Sequence, residues 1–185
     1  MKNKVAYFGI FTSLAMILGY IESLFPFFWG IPGVKLGLAN SMSLTILYFL
    51  GAPAAFLISG IRIILTGFLF GNAFSVIYSF AGALLSMSVM VVLKKTNVFS
   101  IVGISMAGGI FHNIGQLIAA IFLVENLNLL YYLPVLLLSG AVTGLVIGLL
   151  SREILKRIPD SLLEESVRAG RSFHFGADAV RRKKK

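Results

Sequence analysis

Apolar positions form six long stretches along the chain, and short polar or Gly- and Pro-containing breaks separate them. A membrane-spanning helix needs about 20 apolar residues. The pattern therefore predicts an all-α, polytopic membrane protein with six transmembrane helices, of which the second and third are the shortest. The predicted spans cover approximately residues 5–25, 35–53 (beginning between 35 and 38), 54–70, 73–93, 98–124 and 130–150.

These spans define one predicted transmembrane domain over residues 1–158. The first apolar stretch lacks a small-x-small cleavage site before a polar segment, so we expect it to be a true span rather than a signal peptide. Residues 159–185 are rich in Lys and Arg and are expected to form a basic cytoplasmic tail. The tail is either solvated and partly disordered or in contact with anionic lipid headgroups.

Charged residues make up 12% of the chain, about half their share in soluble domains. Too few charges remain to build a water-soluble surface, so the surface must face lipid. Cysteine is absent, which excludes disulfides, zinc thiolates and iron–sulfur clusters. The charged residues between positions 5 and 151 are Glu22, Lys35, Arg62, Lys94, Lys95 and Glu125.

The net charge of +9 is concentrated at the ends of the apolar stretches. This is the distribution that the positive-inside rule describes, so no nucleic-acid partner is expected. The comparison counts lysines and arginines, with the N-terminus placed inside. The inner side then holds Lys94, Lys95 and the basic tail, whereas Lys35 is the only basic residue in the outer loops. We therefore expect a protein of the cell membrane with both termini in the cytoplasm.

Polar residues within the predicted spans are the candidates for function, because a polar group in hydrocarbon is costly and needs a partner. By helical rise they fall in the middle or outer half of the bilayer. One hypothesis is a substrate pocket that opens outward. The alternative is an internal hydrogen-bond network in which Glu22 neutralises Arg62, with Lys35 reaching to the interface. The candidates are Glu22, Lys35, Asn40, Arg62, His112, Asn113 and Gln116.

Small residues recur at intervals of four in two spans. Such ridges allow helices to approach closely. In the sixth span, Gly140, Gly144 and Gly148 are interpreted as packing positions inside the bundle. The first span offers either packing or a docking surface for a partner membrane protein, formed by Gly9, Ser13, Ala15 and Gly19.

The sequence contains no Walker A motif, no D-D-x-x-D magnesium-binding pattern, no H-E-x-x-H motif and no Ser-His-Asp set. It holds two histidines, one of them in the tail, so a metal site is not predicted. We therefore predict a protein that is not an enzyme and that carries no cofactor.

The string 32–40, Pro-Gly-Val-Lys-Leu-Gly-Leu-Ala-Asn, together with Gly60-Ile61-Arg62 and His112-Asn113, resembles a bacterial family. That family is labelled Gx transporter or heptaprenyl diphosphate synthase component I, and the resemblance covers about residues 4–157. The family is similar to the substrate-binding S-components of energy-coupling-factor transporters. Those are six-helix proteins that bind micronutrients in an outward-facing pocket and dock through their first helix onto a coupling membrane protein that carries two ATPases.

The resemblance implies that the first-span ridge docks onto the coupling protein and that the polar candidates line the pocket. Our leading hypothesis is a substrate-binding subunit of an importer for a small organic micronutrient or cofactor precursor. The second is a non-catalytic membrane subunit of heptaprenyl diphosphate synthesis, and the third is a structural membrane protein. Lys35 and Arg62 favour an anionic or strongly hydrogen-bonding substrate; flavin-like, quinone-precursor and isoprenoid molecules all remain open.

Overall fold

The computed structural model describes residues 2–24 and 38–158, and side chains over 9–21, 39–69 and 71–158. Lys35 and the tail 159–185 lie outside the described residues.

Every regular element in the described ranges is helical, which confirms the predicted all-α fold with six α-helices. They are α1 (Lys2–Leu24), α2 (Leu38–Phe49), α3 (Ala52–Phe70), α4 (Ala73–Thr96), α5 (Ile101–Val124) and α6 (Leu133–Arg157); a 3-10 helix, Leu127–Tyr132, precedes α6.

The bundle presents an apolar surface. Among the described residues, four helical segments are long and apolar enough to cross a membrane: Ala52–Leu69, Ala73–Thr96, Ile101–Val124 and Leu127–Arg157. Large apolar side chains point outward from them; Phe68 and Phe122, for example, are 89% and 78% exposed. A soluble protein rarely exposes such side chains in contiguous patches. The chain is therefore a helical membrane bundle, with a shorter apolar stretch, Gly9–Ile21, in α1.

Neighbouring helices α4, α5 and α6 run antiparallel. Gly82 of α4 faces His112 of α5, and Gly109 of α5 faces Gly140 of α6. The C-terminal ends of α4 and α6 consequently lie together, and they carry Lys94, Lys95, Lys156 and Arg157. We call this the basic end of the bundle; the opposite end carries the Gly71-Asn72 turn and residues 125–132.

Helix α2 differs from the sequence expectation of an ordinary span. Its 12 residues extend over about 18 Å at the α-helical rise, which is shorter than the hydrocarbon layer of about 30 Å. Residues 41–51 are all buried, so α2 lies in the core and is enclosed by other helices.

The polar residues of α2 are satisfied by hydrogen bonds within the core. Thr45 Oγ1 donates to the carbonyl of Ser41 at 2.8 Å, and Ser151 Oγ of α6 donates to the same carbonyl at 2.9 Å. Ser43 Oγ and Ser59 Oγ of α3 lie 2.8 Å apart and share a hydrogen bond. Because these hydroxyls have partners, their burial in an apolar core carries little penalty, and they fix α2 against α3 and α6.

Lys94 of α4 caps the C-terminal end of α2. Its ammonium donates a hydrogen bond to the carbonyl of Leu47 at 2.7 Å and lies 4.5 Å from the centre of the Tyr48 ring. A cation at the C-terminus of a helix is stabilised by the partial negative charge of the last carbonyls. The sequence expectation placed Lys94 in an inner loop; the structure instead buries it, with 5% of its surface exposed.

Glycines bring α5 and α6 into backbone contact. A Cβ atom built on Gly140 would lie 2.7 Å from the carbonyl oxygen of Gly109, and one built on Gly144 would lie 2.6 Å from that of Ser105. Real Cβ atoms do not approach backbone atoms so closely, so these positions have room for glycine alone. The interpretation of Gly140 and Gly144 as packing positions is confirmed.

Candidate binding site

Asn40 of α2 and His112 of α5 line one small cavity in the interior of the bundle. Arg62 of α3 joins them through Asn40, because Arg62 Nη2 donates a hydrogen bond to Asn40 Oδ1 at 3.1 Å. We call these three residues the polar cluster. Arg62 lies about 15 Å, and His112 about 17 Å, along its own helix from the basic end. Both side chains therefore lie near the middle of the bundle.

Gly82 of α4 makes room for the side chains opposite it on α5. A Cβ atom at this position would lie 2.8 Å from His112 Cε1 and 2.9 Å from Gln116 Cγ. His112 and Gln116 are four residues apart, so they share one face of α5, and that face is turned toward α4. The spacing observed in the sequence therefore predicts correctly that these two residues share a face.

A small cavity adjoins the polar cluster between α2, α4, α5 and α6. Its volume is about 20 Å³, enough for a single water molecule and far below the roughly 300–1,000 Å³ of a typical small-molecule site. In the described conformation this space is therefore too small for an organic ligand. The lining residues are Asn40, Leu44, Ser86, Met90, Ser105, Gly108, Gly109, His112 and Ile147.

Asn113 faces away from this cluster. Its Nδ2 donates to the carbonyl of Leu136 at 2.7 Å and lies 3.2 Å from Ser139 Oγ, both on α6. These bonds link α5 to α6, so Asn113 has a packing role in this structure. Its predicted part in substrate binding stays a prediction.

Two of the predicted site residues fall outside the described side chains. Glu22 belongs to α1, near the C-terminal end of that helix, but its side chain is not among those described. Lys35 lies outside the described residues altogether. The hypothesis that Glu22 neutralises Arg62 and the two hypotheses for Lys35 therefore stay predictions.

The small residues of α1 are divided between two faces. Gly9 and Ser13 are exposed, and nothing lies within 4 Å of a Cβ atom built on Gly9. Ala15 is 1% exposed, and a Cβ atom on Gly19 would lie 3.7 Å from Ala39 Cβ of α2. In this structure Ala15 and Gly19 therefore pack inside the bundle, and Gly9 and Ser13 are the two of the four residues that are open. The docking role of these residues stays a prediction.

Sequence reasoning missed Gly82, Ser86 and Met90 of α4 and Ser105 of α5, which surround the cluster. A signal exists, because Gly82, Ser86 and Met90 follow one another at intervals of four and so share a helix face. The spacing alone does not identify the neighbouring helix. Within the described ranges no group of three or more His, Cys, Asp or Glu side chains could hold a metal ion.

The family model described as heptaprenyl diphosphate synthase component I matches residues 11–154. The chain belongs to this family. The matched region begins in the third turn of α1 and ends in α6, so it includes the Asn40–Arg62–His112 cluster and the cavity beside it. No curated protein and no solved structure gave a match.

The description of the component I family names a diphosphate synthase, and proteins bind magnesium beside phosphate groups through one or two carboxylates. The two aspartates of this chain, Asp160 and Asp178, both follow α6 in the sequence. The interior of the bundle instead offers a guanidinium, two amides, an imidazole and serine hydroxyls. Groups of these types interact with a partner by charge and hydrogen bonding.

Proposed function

We propose that this chain is the membrane-embedded substrate-binding component of an energy-coupling-factor type importer for a small anionic organic molecule. The observation that carries the proposal is the position of Arg62 in the middle of an apolar bundle, hydrogen-bonded to Asn40, which lines the same cavity as His112. Ionisable residues within membrane spans are costly and generally mark a binding site or a transport pathway.

The chemistry of the cluster favours a carboxylate or phosphate group on the substrate. A guanidinium presents several N–H donors in a planar fork that matches these anions. Asn40 accepts from one terminal nitrogen of Arg62 and thereby fixes the orientation of the fork. His112 and Gln116 add hydrogen-bonding groups on the α5 side, where they can select the remainder of the substrate.

Binding of an organic substrate beside Asn40 and His112 requires the surrounding helices to move apart, because the cavity there holds only about 20 Å³. The backbone contacts at Gly109, Gly140 and Gly144 make separation of α5 from α6 costly. The neighbours of α2 hold it through side chains, including the hydrogen bonds from Lys94 and Ser151 to carbonyls of α2, and such contacts are easier to rearrange than contacts between two backbones. We therefore assign the opening movement to α2 and α3 relative to α4–α6.

The energy for import comes from partners in this proposal, since the sequence has no Walker A motif. The partner is a coupling membrane protein with two ATPase subunits. The exposed small residues Gly9 and Ser13 of α1 supply a face to which a helix of the coupling protein can pack closely. The basic end of the bundle faces the cytoplasm, in keeping with the positive-inside rule.

Co-purification with the coupling protein and its ATPases tests this assignment. Ser13→Leu adds bulk to the open face of α1, so we expect it to abolish association while leaving the folded chain intact. Ser88→Leu is the matched control, because Ser88 is an exposed serine on α4 and its replacement leaves the α1 face unchanged. Equal association of both variants, or none for the wild type, would contradict the docking role.

The family description favours a second candidate, a non-catalytic membrane subunit of heptaprenyl diphosphate synthesis. This candidate predicts that the chain binds a soluble prenyltransferase and that its deletion alters the chain length of the prenyl product. A pull-down from membranes, followed by analysis of the prenyl products, separates the two proposals. Prenyltransferase binding without any association with a coupling protein would favour the second.

A further inference from the structure

Ser105 carries a buried hydroxyl that has no hydrogen-bond partner among the described residues. The residue is 3% exposed, and its Oγ is one of the buried polar atoms without a partner. A buried hydroxyl left unsatisfied destabilises the folded state. Native structures therefore seldom keep one unless a water molecule or a ligand completes its hydrogen bonding.

Other hydroxyls in this bundle are satisfied within their own helix. Thr45 Oγ1 donates to the carbonyl of Ser41, and Ser88 Oγ donates to that of Leu84, in both cases four residues back. This is the usual solution for a hydroxyl inside a helix. Ser105 has no such bond, so its hydroxyl remains available to a group outside α5.

Ser105 lies beside the small cavity described above. Ser86 of α4, Asn40 of α2 and His112 of α5 line the same space. A Cβ atom on Gly108, another lining residue, would lie 3.3 Å from Ser86 Oγ, so this hydroxyl is directed toward α5. Polar groups from three helices therefore converge around a space of about 20 Å³.

We propose that this cavity is a binding site for one ordered water molecule, held by Ser105 and completed by polar neighbours that line the cavity. A buried water requires a space of at least about 10–15 Å³ and two to four polar partners, and the cavity offers both. The bound water joins α5 to α4 and α2 on the basic side of the Arg62 cluster. The inference does not depend on the importer role.

The sign of the change in melting temperature caused by Ser105→Ala distinguishes a hydrated cavity from a dry one. If the water is present, Ser105→Ala removes one of its partners and lowers the melting temperature by about 2 °C. If the cavity is dry, the same change deletes an unsatisfied hydroxyl and raises the melting temperature. Alanine has a higher helix propensity than serine, and Ser88→Ala is the matched control for this effect. The melting temperature of Ser105→Ala is therefore compared with that of Ser88→Ala.

A structure of the wild-type chain at a resolution that shows ordered water provides the second measurement, and it remains decisive if Ser105→Ala fails to fold. We expect a solvent peak within about 2.7–3.2 Å of Ser105 Oγ. An empty cavity in a map that shows ordered water elsewhere would overturn the proposal, as would Ser105→Ala being more stable than Ser88→Ala.

Discussion

Arg62 Nη2 donates a hydrogen bond to Asn40 Oδ1 at 3.1 Å, which ties the middle of α3 to the first turn of α2. The bond has two consequences. It supplies an acceptor for a cation in an apolar bundle, and it holds the guanidinium fork in one orientation. A change at Asn40 should therefore affect substrate binding and stability differently.

Asn40→Asp places a carboxylate where the amide oxygen now accepts from Arg62. The new ion pair should keep or slightly raise stability, because a charge-assisted hydrogen bond replaces a bond to a neutral oxygen. The same carboxylate competes with an anionic substrate, so ligand occupancy should fall at least about tenfold, equivalent to about 1.4 kcal/mol. Mass spectrometry of the bound ligand and thermal unfolding of the same sample measure the two effects.

Asn113→Asp is the matched control for this substitution. Asn113 uses its Nδ2 as a donor to the Leu136 carbonyl, and a carboxylate cannot donate there, so the variant should lose stability without selective loss of ligand. If Asn113→Asp abolished binding and Asn40→Asp did not, the site would lie on the opposite face of α5 from the one we assign.

Gly82→Ala should impair the site while preserving the fold. The added methyl group would lie 2.8 Å from His112 Cε1 and 2.9 Å from Gln116 Cγ, so both side chains must move. Side chains adapt more readily than backbone, and we expect a stability loss of about 1 kcal/mol together with a clear loss of ligand.

Gly60→Ala on α3 is the control for Gly82→Ala, because its methyl group would meet only Phe80 ring atoms at 3.9 Å, an ordinary contact distance. Thermal unfolding and ligand occupancy are measured for both variants. Retention of full occupancy by Gly82→Ala would show that His112 and Gln116 do not contribute to binding.

Gly140→Ala tests the backbone contact between α5 and α6. A Cβ atom there would lie 2.7 Å from the Gly109 carbonyl oxygen, and since that neighbour is backbone, the helices must separate. We expect a loss of about 3 kcal/mol in folding stability, at the upper end for overpacking.

Gly9→Ala is the control, because it has open space around it; it should be neutral or stabilising by up to about 1 kcal/mol. A smaller loss of stability for Gly140→Ala than for Gly9→Ala would refute the backbone contact.

Lys94→Met should destabilise α2. The substitution removes the hydrogen bond to the Leu47 carbonyl and the contact with the Tyr48 ring. A buried carbonyl left without its donor costs about 1–3 kcal/mol. The exposed neighbour Lys95 provides the control Lys95→Met, for which we expect a change within about 0.5 kcal/mol. Equal stabilities in a thermal or denaturant unfolding series would mean that Lys94 does not anchor α2.

Much of the fold can be predicted from the sequence because the signals are long apolar stretches and their breaks. The capping box formed by Asn72 and Ser75 begins α4 at the predicted Gly71-Asn72 turn. The left-handed conformation of Asn97 ends α4 beside the Lys94-Lys95 pair. Such local features depend on a few adjacent residues and are visible in one sequence.

The enclosed position of α2 could not be predicted in the same way. Its apolar composition suits lipid and a protein core equally, so hydropathy does not distinguish a lipid-facing span from a central helix. The burial of Lys94 depends on a carbonyl 47 positions earlier in the chain. The split of Gly9 and Ser13 from Ala15 and Gly19 follows from which face of α1 meets α2, and spacing alone does not specify that face.

The candidate site can be predicted from the sequence only in part. Arg62, His112 and Gln116 are conspicuous because polar residues are rare in apolar stretches, and a single sequence suffices to identify them. Their convergence with Asn40, and the orientation of Asn113 toward α6, depend on helix rotation within the bundle. Gly82 has no side chain, and a serine hydroxyl such as that of Ser105 can bond to a carbonyl of its own helix, so neither residue is conspicuous in an apolar stretch.

The most direct test of substrate binding is mass spectrometry of small molecules that co-purify with the chain in lipid nanodiscs, compared between wild type and Arg62→Gln. The account predicts an organic molecule with a carboxylate or phosphate group bound to the wild type and lost from Arg62→Gln, while both proteins remain folded. A wild-type chain without bound organic anion, or equal occupancy in the two proteins, would contradict it.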